Sequence, residues 1–109
     1  MQVGPQFNKE LNCLAENIYF EAGAESYEGK LAVAQVTMNR LNSPNYPKNL
    51  CEVVYQRNIT TCQFSWTCMV KELVQIRDRY RWEESVLIAK RALTVPVLHD
   101  KIAESNALY

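Results

Sequence analysis

The sequence predicts a mainly α fold with one small β-hairpin element, an α+β chain. Three observations predict it. Gly and Pro are scarce, at 3 and 4 among 109 residues, which disfavours a turn-rich β architecture. Apolar residues recur at helical spacing in several stretches. Only 57–68 is instead rich in β-branched and aromatic side chains. A composition of 48% hydrophobic and 22% charged residues supports a compact core and excludes disorder. At this length, 1–109 reads as a single domain.

The elements follow in order. Asn8 is expected to cap a first helix running to about Ala22. Leu11, Leu14, Ala15, Ile18 and Tyr19 share one face of it. Gly23 loosens or ends it. Ser26 caps a second helix over 27–41, with Leu31, Ala34, Met38 and Leu41 on one face and Val33 and Val36 widening it. Pro44 and Pro47 mark a loop. Pro47 then starts a short helix over 48–56 that turns Leu50, Val53 and Val54 inward. Residues 57–68 read as the small hairpin or an irregular loop. The charge-dense stretch 69–81 fixes no element. A last helix over 82–94 aligns Trp82, Val86, Ala89 and Leu93, and Pro96 ends it. The tail 97–109 has room for one more short turn or helix.

Charge and motifs remove several function classes. Basic and acidic residues are equal at 12 each, and no basic stripe is interleaved with aromatics, so no nucleic-acid partner is expected. No apolar run is long enough to span a bilayer. Residues 1–10 hold no basic segment followed by an apolar one, so no signal peptide is expected. There is no Gly-rich phosphate loop, H-E-x-x-H or G-x-S-x-G motif, and no cofactor or metal is expected. His99 is the only histidine, and no cysteine has the helix-N-terminal setting that would activate it as a nucleophile. A monomer is expected. Cys13, Cys51, Cys62 and Cys68 allow three disulfide pairings, among which sequence does not choose. Cys62–Cys68 closing a short loop, with Cys13–Cys51 tying the first helix to a later segment, is the favoured one. A zinc site and four reduced thiols are its rivals.

Glu21 and Glu25 are the leading site candidates. Glu21 falls on the flank of the first helix's apolar stripe, where the helix runs out. Partial burial there would raise its pKa and suit it to general acid chemistry near neutral pH. On a continuous helix Glu25 would lie about 5–6 Å away at Cβ, near the roughly 5–5.5 Å between the carboxyl groups of retaining glycosidases. Gly23 leaves that distance open, and two ordinary surface carboxylates remain the alternative. Gln63-Phe64-Ser65-Trp66 combines ring faces with polar groups, as sugar binding requires. Its alternative is a turn that buries Phe64 and Trp66. Asn39-Arg40 either caps the second helix, pairs with a carboxylate or lines a cleft.

The run Cys13-Leu14-Ala15-Glu16-Asn17-Ile18-Tyr19-Phe20-Glu21-Ala22, with Glu25-Ser26, Glu28-Gly29-Lys30, Ala32-Val33-Ala34-Gln35-Val36 and Asn39-Arg40, resembles the cell-wall hydrolase family of spore-cortex-lytic enzymes (SleB type). Pro47, Cys51, Val53-Val54-Tyr55-Gln56 and Cys62-Gln63-Phe64-Ser65-Trp66-Thr67-Cys68 resemble its cysteine-bearing branch from Gram-negative bacteria and their phages. The resemblance covers roughly 11–68 well and 89–109 loosely. It implies a lysozyme-like, lytic-transglycosylase-like fold acting on peptidoglycan in the periplasm or outside the cell, as a phage endolysin or a wall-remodelling enzyme. The family motif Y-x-E-A-R-G-E puts the catalytic acid on Glu21 and a second acid on Glu25. Tyr19, Asn39, Gln63, Phe64, Ser65 and Trp66 are then the expected substrate contacts. Lytic transglycosylation, or muramidase hydrolysis, between N-acetylmuramic acid and N-acetylglucosamine is the implied reaction. A non-catalytic peptidoglycan-binding module of the same fold is the alternative. Two departures stand out. The motif's Arg-Gly is Gly23-Ala24 here, which removes a cation from beside the acids. Family members also continue past Tyr109, so the domain is expected to lack its usual C-terminal end.

Overall fold

The computed structural model describes residues 5–94. Pro96, His99 and the expected element in the tail lie outside them. Four α-helices follow in order: α1 (Pro5–Ala22), α2 (Tyr27–Leu41), α3 (Leu50–Val54) and α4 (Arg79–Thr94). A 3-10 turn over Ser65–Cys68 stands between α3 and α4. No helix among the described residues is long and apolar enough to cross a membrane.

α1 packs against all three other helices. Its Leu14, Ala15 and Ile18 meet Ala34 and Met38 of α2, Leu50 of α3, and Ile88, Ala89 and Ala92 of α4 in one core. Burial of these side chains, at about 1.5–3 kcal/mol for each large one, is the main force holding the helices together. A disulfide joins Cys13 of α1 to Cys51 of α3 across a Cα separation of 5.2 Å. The Glu10 carboxylate accepts the Leu50 N–H at 2.6 Å, giving the start of α3 a partner on α1. Lys30, buried in α2, pairs with Glu84 of α4 at 2.6 Å.

Helix boundaries differ from expectation for local reasons. α1 starts at Pro5, a residue whose fixed φ suits a first helical turn, so Asn8 lies inside the helix. α2 begins where expected, the Ser26 hydroxyl accepting from the Gly29 N–H at 3.3 Å. α3 is shorter than 48–56. Asn49 caps it by accepting the Glu52 N–H at 2.9 Å, which fixes the start at Leu50. Leu50, Val53 and Val54 are buried as their spacing predicts. α4 starts three residues before the expected 82, because Asp78 accepts the Arg81 N–H at 3.0 Å and sets the cap. Its most buried positions are Ser85, Ile88, Ala89 and Ala92, while Trp82, Val86 and Leu93 pack at the edge.

The expected β-hairpin is absent among the described residues. Residues 57–68 hold a single antiparallel bridge, Arg57 with Cys62. The Asn58 side chain captures the N–H groups of Thr60 and Thr61 at 2.9 and 2.7 Å, which turns the chain before a ladder can extend. Beyond the bridge, a second disulfide closes Cys62 onto Cys68. Burial of Phe64 and Trp66 then pulls the segment into the 3-10 turn. With all four cysteines in disulfides, no thiolate is left for zinc.

Candidate active site

Glu21 sits in the last turn of α1, at the meeting of two surface depressions. One, of about 280 Å³, is formed by the chain from Tyr19 through Glu25 with Arg81. The other, of about 330 Å³, has Glu21, Val36 and Arg40 on one side and Gln63 and Phe64 on the other. Glu21 lines both. Partial burial pushes its carboxyl above the usual carboxylate range, and the nearby Arg40 guanidinium pulls it part of the way back.

Arg40 is buried at the end of α2, its guanidinium carbon 4.8 Å from the Phe64 ring centre and 5.5 Å from that of Tyr46. It therefore faces the cleft as well as ending its helix. Stacking fixes the charge beside Glu21 without drawing it into solvent. A cation from α2 therefore stands near Glu21.

Gly23 ends α1, its N–H bonding the Tyr19 carbonyl at 2.8 Å. A side chain there would collide with that same carbonyl oxygen. The sequence departure at 23 therefore matches the backbone path. Because the helix ends at Ala22, Glu25 belongs to the connection and not to a continuous helix. The i,i+4 separation does not apply to the pair. Two contacts fix Glu25. The buried Lys30 ammonium donates to its carbonyl at 2.7 Å, and its side chain lies over Gly29, where a methyl group would approach its Cβ to 2.7 Å. Lys30 is a positioning residue that sequence reasoning missed; a lysine in the first turns of a helix carries no signal of burial.

The other expected contacts divide. Gln63 and Phe64 line the Glu21 cleft, and Ser65 is exposed at the start of the 3-10 turn. Trp66 faces away from it. Its indole N–H donates to Asn17 Oδ1 at 2.8 Å, Asn17 Nδ2 donates to Thr37 Oγ1 at 3.0 Å, and Thr37 donates to the Val33 carbonyl at 2.8 Å. This buried chain of bonds locks the 3-10 turn onto α1 and α2. Tyr19 does structural work, its hydroxyl accepting the N–H groups of Arg77 and Asp78 at 3.0 Å each, its ring edge-on to Trp82. Asn39 is buried at the end of α2. No cluster of His, Cys, Asp and Glu suited to a metal ion occurs among the described residues.

Comparison with known proteins adds the family context. A family model described as cell wall hydrolase matches residues 24–109. The chain is 43% identical over 49 residues to a spore cortex-lytic enzyme of Bacillus subtilis (strain 168), which covers 45% of this chain and 16% of the relative. It is 41% identical over 49 residues to a spore cortex-lytic enzyme of Halalkalibacterium halodurans, covering 45% of this chain and 15% of the relative. The matched segment is thus about one sixth of either relative's length. No solved structure matches the chain.

Proposed function

This chain belongs to the cell wall hydrolase family, and we propose that it cleaves the glycan strands of peptidoglycan as a lytic transglycosylase, with Glu21 as general acid and base. The observation that carries the reading is one carboxyl group, held above its ordinary pKa, at the junction of two open depressions. An extended glycan laid across that junction presents a glycosidic bond to Glu21, with one sugar in each depression. Protonated Glu21 donates to the glycosidic oxygen between C1 of N-acetylmuramic acid and C4 of N-acetylglucosamine. The C1–O bond breaks, and the N-acetylglucosamine leaves with a 4-hydroxyl group. The muramoyl O6 attacks C1, and the Glu21 carboxylate takes the O6 proton as the 1,6-anhydro ring closes. No water is consumed, and the acid is regenerated. Arg40 steadies the carboxylate during the interval in which it has lost its proton. Phe64 and Gln63 supply a ring and an amide on the facing wall, and Glu25 supports the connection below Glu21.

Digestion of purified peptidoglycan followed by mass spectrometry of the products tests this. Lytic transglycosylation yields 1,6-anhydromuramoyl ends. Reducing ends in their place identify a muramidase, and retention on peptidoglycan with no soluble products identifies a binding module.

A further inference from the structure

Another cavity lies beyond Phe20 from Glu21, and the proposed reaction leaves it unused. It holds about 360 Å³. One side is aromatic: Phe20 stacks on Trp66 at 4.7 Å, and Tyr55 meets Trp66 edge-on at 5.5 Å. Ile76, 43% exposed, adds an aliphatic surface. Two opposite charges, Glu16 and Lys71, line the same space. Glu16 accepts the Tyr55 hydroxyl at 3.0 Å, yet among the described residues no ion pair joins it to Lys71. A carboxylate accepts about four hydrogen bonds, so most of its capacity remains for a ligand. Burial holds Glu16 above the carboxylate range and pushes Tyr55 up to about 12, so the phenol stays a donor. A bound cation would offset the desolvation of Glu16.

We propose that this cavity binds a peptide residue bearing both a free ammonium and a free carboxylate. The ammonium meets Glu16, the carboxylate meets Lys71, and the aliphatic chain between them covers Trp66 and Ile76. This rests on the reading that the chain cuts peptidoglycan, where the occupant is the diamino acid of the peptide hanging from the sugar beside the cut. Phe20 lines both this cavity and the depression at Glu21, so the two sites adjoin. Glu16 and Glu21 are five residues apart on one helix, about 7.5 Å along its axis. An extended peptide advances about 3.3–3.6 Å per residue, so two or three residues cover the distance. A bare sugar would use the aromatic side but neither charge.

The test is an NMR titration of the whole protein with a soluble tripeptide ending in a diamino acid, followed at the Trp66 indole N–H. Saturable shifts are expected, with none for the same peptide acetylated on its free amine. Glu16→Gln and the surface change Lys71→Ala should each weaken binding by roughly tenfold, the size of one charge-assisted bond. Absence of saturable shifts, or equal binding of the acetylated peptide, overturns the proposal. Cleavage of glycan strands with and without their peptides separates the two readings. Equal cleavage of both without tripeptide binding removes this site and leaves the enzyme. Tripeptide binding without cleavage of either leaves the site and removes the enzyme.

Discussion

At the scale of single residues, two carboxyl groups on α1 are raised by burial, Glu16 and Glu21, and each has a pH consequence. In its proposed role of general acid, Glu21 must hold its proton, so activity is expected to fall as pH rises through its folded-state pKa. Removing the opposing Arg40 charge with Arg40→Gln lets desolvation act alone, and the alkaline limb of the pH–rate profile should move to higher pH. A limb that stays put or moves down would show that Arg40 does not act on Glu21. The stability effect has the same sign for both acids. Above 4.5, the unfolded carboxyl ionises first while the folded one keeps its proton. The native state then binds more protons, and stability falls with rising pH up to the folded pKa. Glu16→Gln should flatten that fall in urea denaturation measured from pH 4 to 7, and an unchanged slope would refute the assignment. Restoring the family arginine with Gly23→Arg is expected to lower stability by about 1–3 kcal/mol through its clash with the Tyr19 carbonyl, read as a shifted denaturation midpoint. Sequence placed Glu21 at the edge of the apolar stripe from periodicity alone. It offered Arg40 a carboxylate partner or a place in a cleft among three readings but did not single out Glu21, because a residue nineteen positions away enters only through the packing of α2 on α1.

At the scale of elements, the wall opposite Glu21 is built by polar contacts, not by strand pairing. Trp66, Asn17 and Thr37 bond in series between the 3-10 turn, α1 and α2. Asn17→Ala strands the Trp66 indole N–H in the core and takes from the Thr37 hydroxyl the donor it accepts from, while its own bond to the Val33 carbonyl stays. A loss of about 2–4 kcal/mol is expected, with a change in Trp66 fluorescence; a loss below about 0.5 kcal/mol would mean the bonds do not hold the turn. The two disulfides should differ in weight. Chain-entropy arguments give about 4 kcal/mol for the Cys13–Cys51 loop of 38 residues and about 2 kcal/mol for the Cys62–Cys68 loop of 6. Paired Cys→Ser variants compared in urea check that order. Helix periodicity located α1, α2 and α4, and the Ser26 cap fixed the start of α2; the start of α3 is misplaced at 48 when Pro47 is read as the signal and the Asn49 cap is not. The hairpin reading failed because β-branched and aromatic composition reports fit to a packed surface, not strand geometry. Asn58 and the Cys62–Cys68 bridge decided the path locally.

At the scale of the whole molecule, one core shared by four helices holds α1 against α2, and a second apolar cluster of Val54, Phe64 and Trp66, with Phe20 and Val36 packed on it, holds the 3-10 turn beside them, so Glu21, Arg40 and Phe64 meet at one cleft. That convergence was only half legible. The motif around Glu21 and the Gln63–Trp66 run could each be read along the chain. Their division into two cavities, with Phe64 toward Glu21 and Trp66 toward Glu16, depends on burial that no spacing encodes. The central claim is that Glu21 performs the cut. Its most direct test is the yield of 1,6-anhydromuropeptides from purified peptidoglycan by the wild type and by Glu21→Gln, with matched circular dichroism to establish equal folding. The wild type should release them, and the variant should fall by at least about 100-fold, the usual share of a positioned general acid. Equal yields from the two proteins would contradict the account.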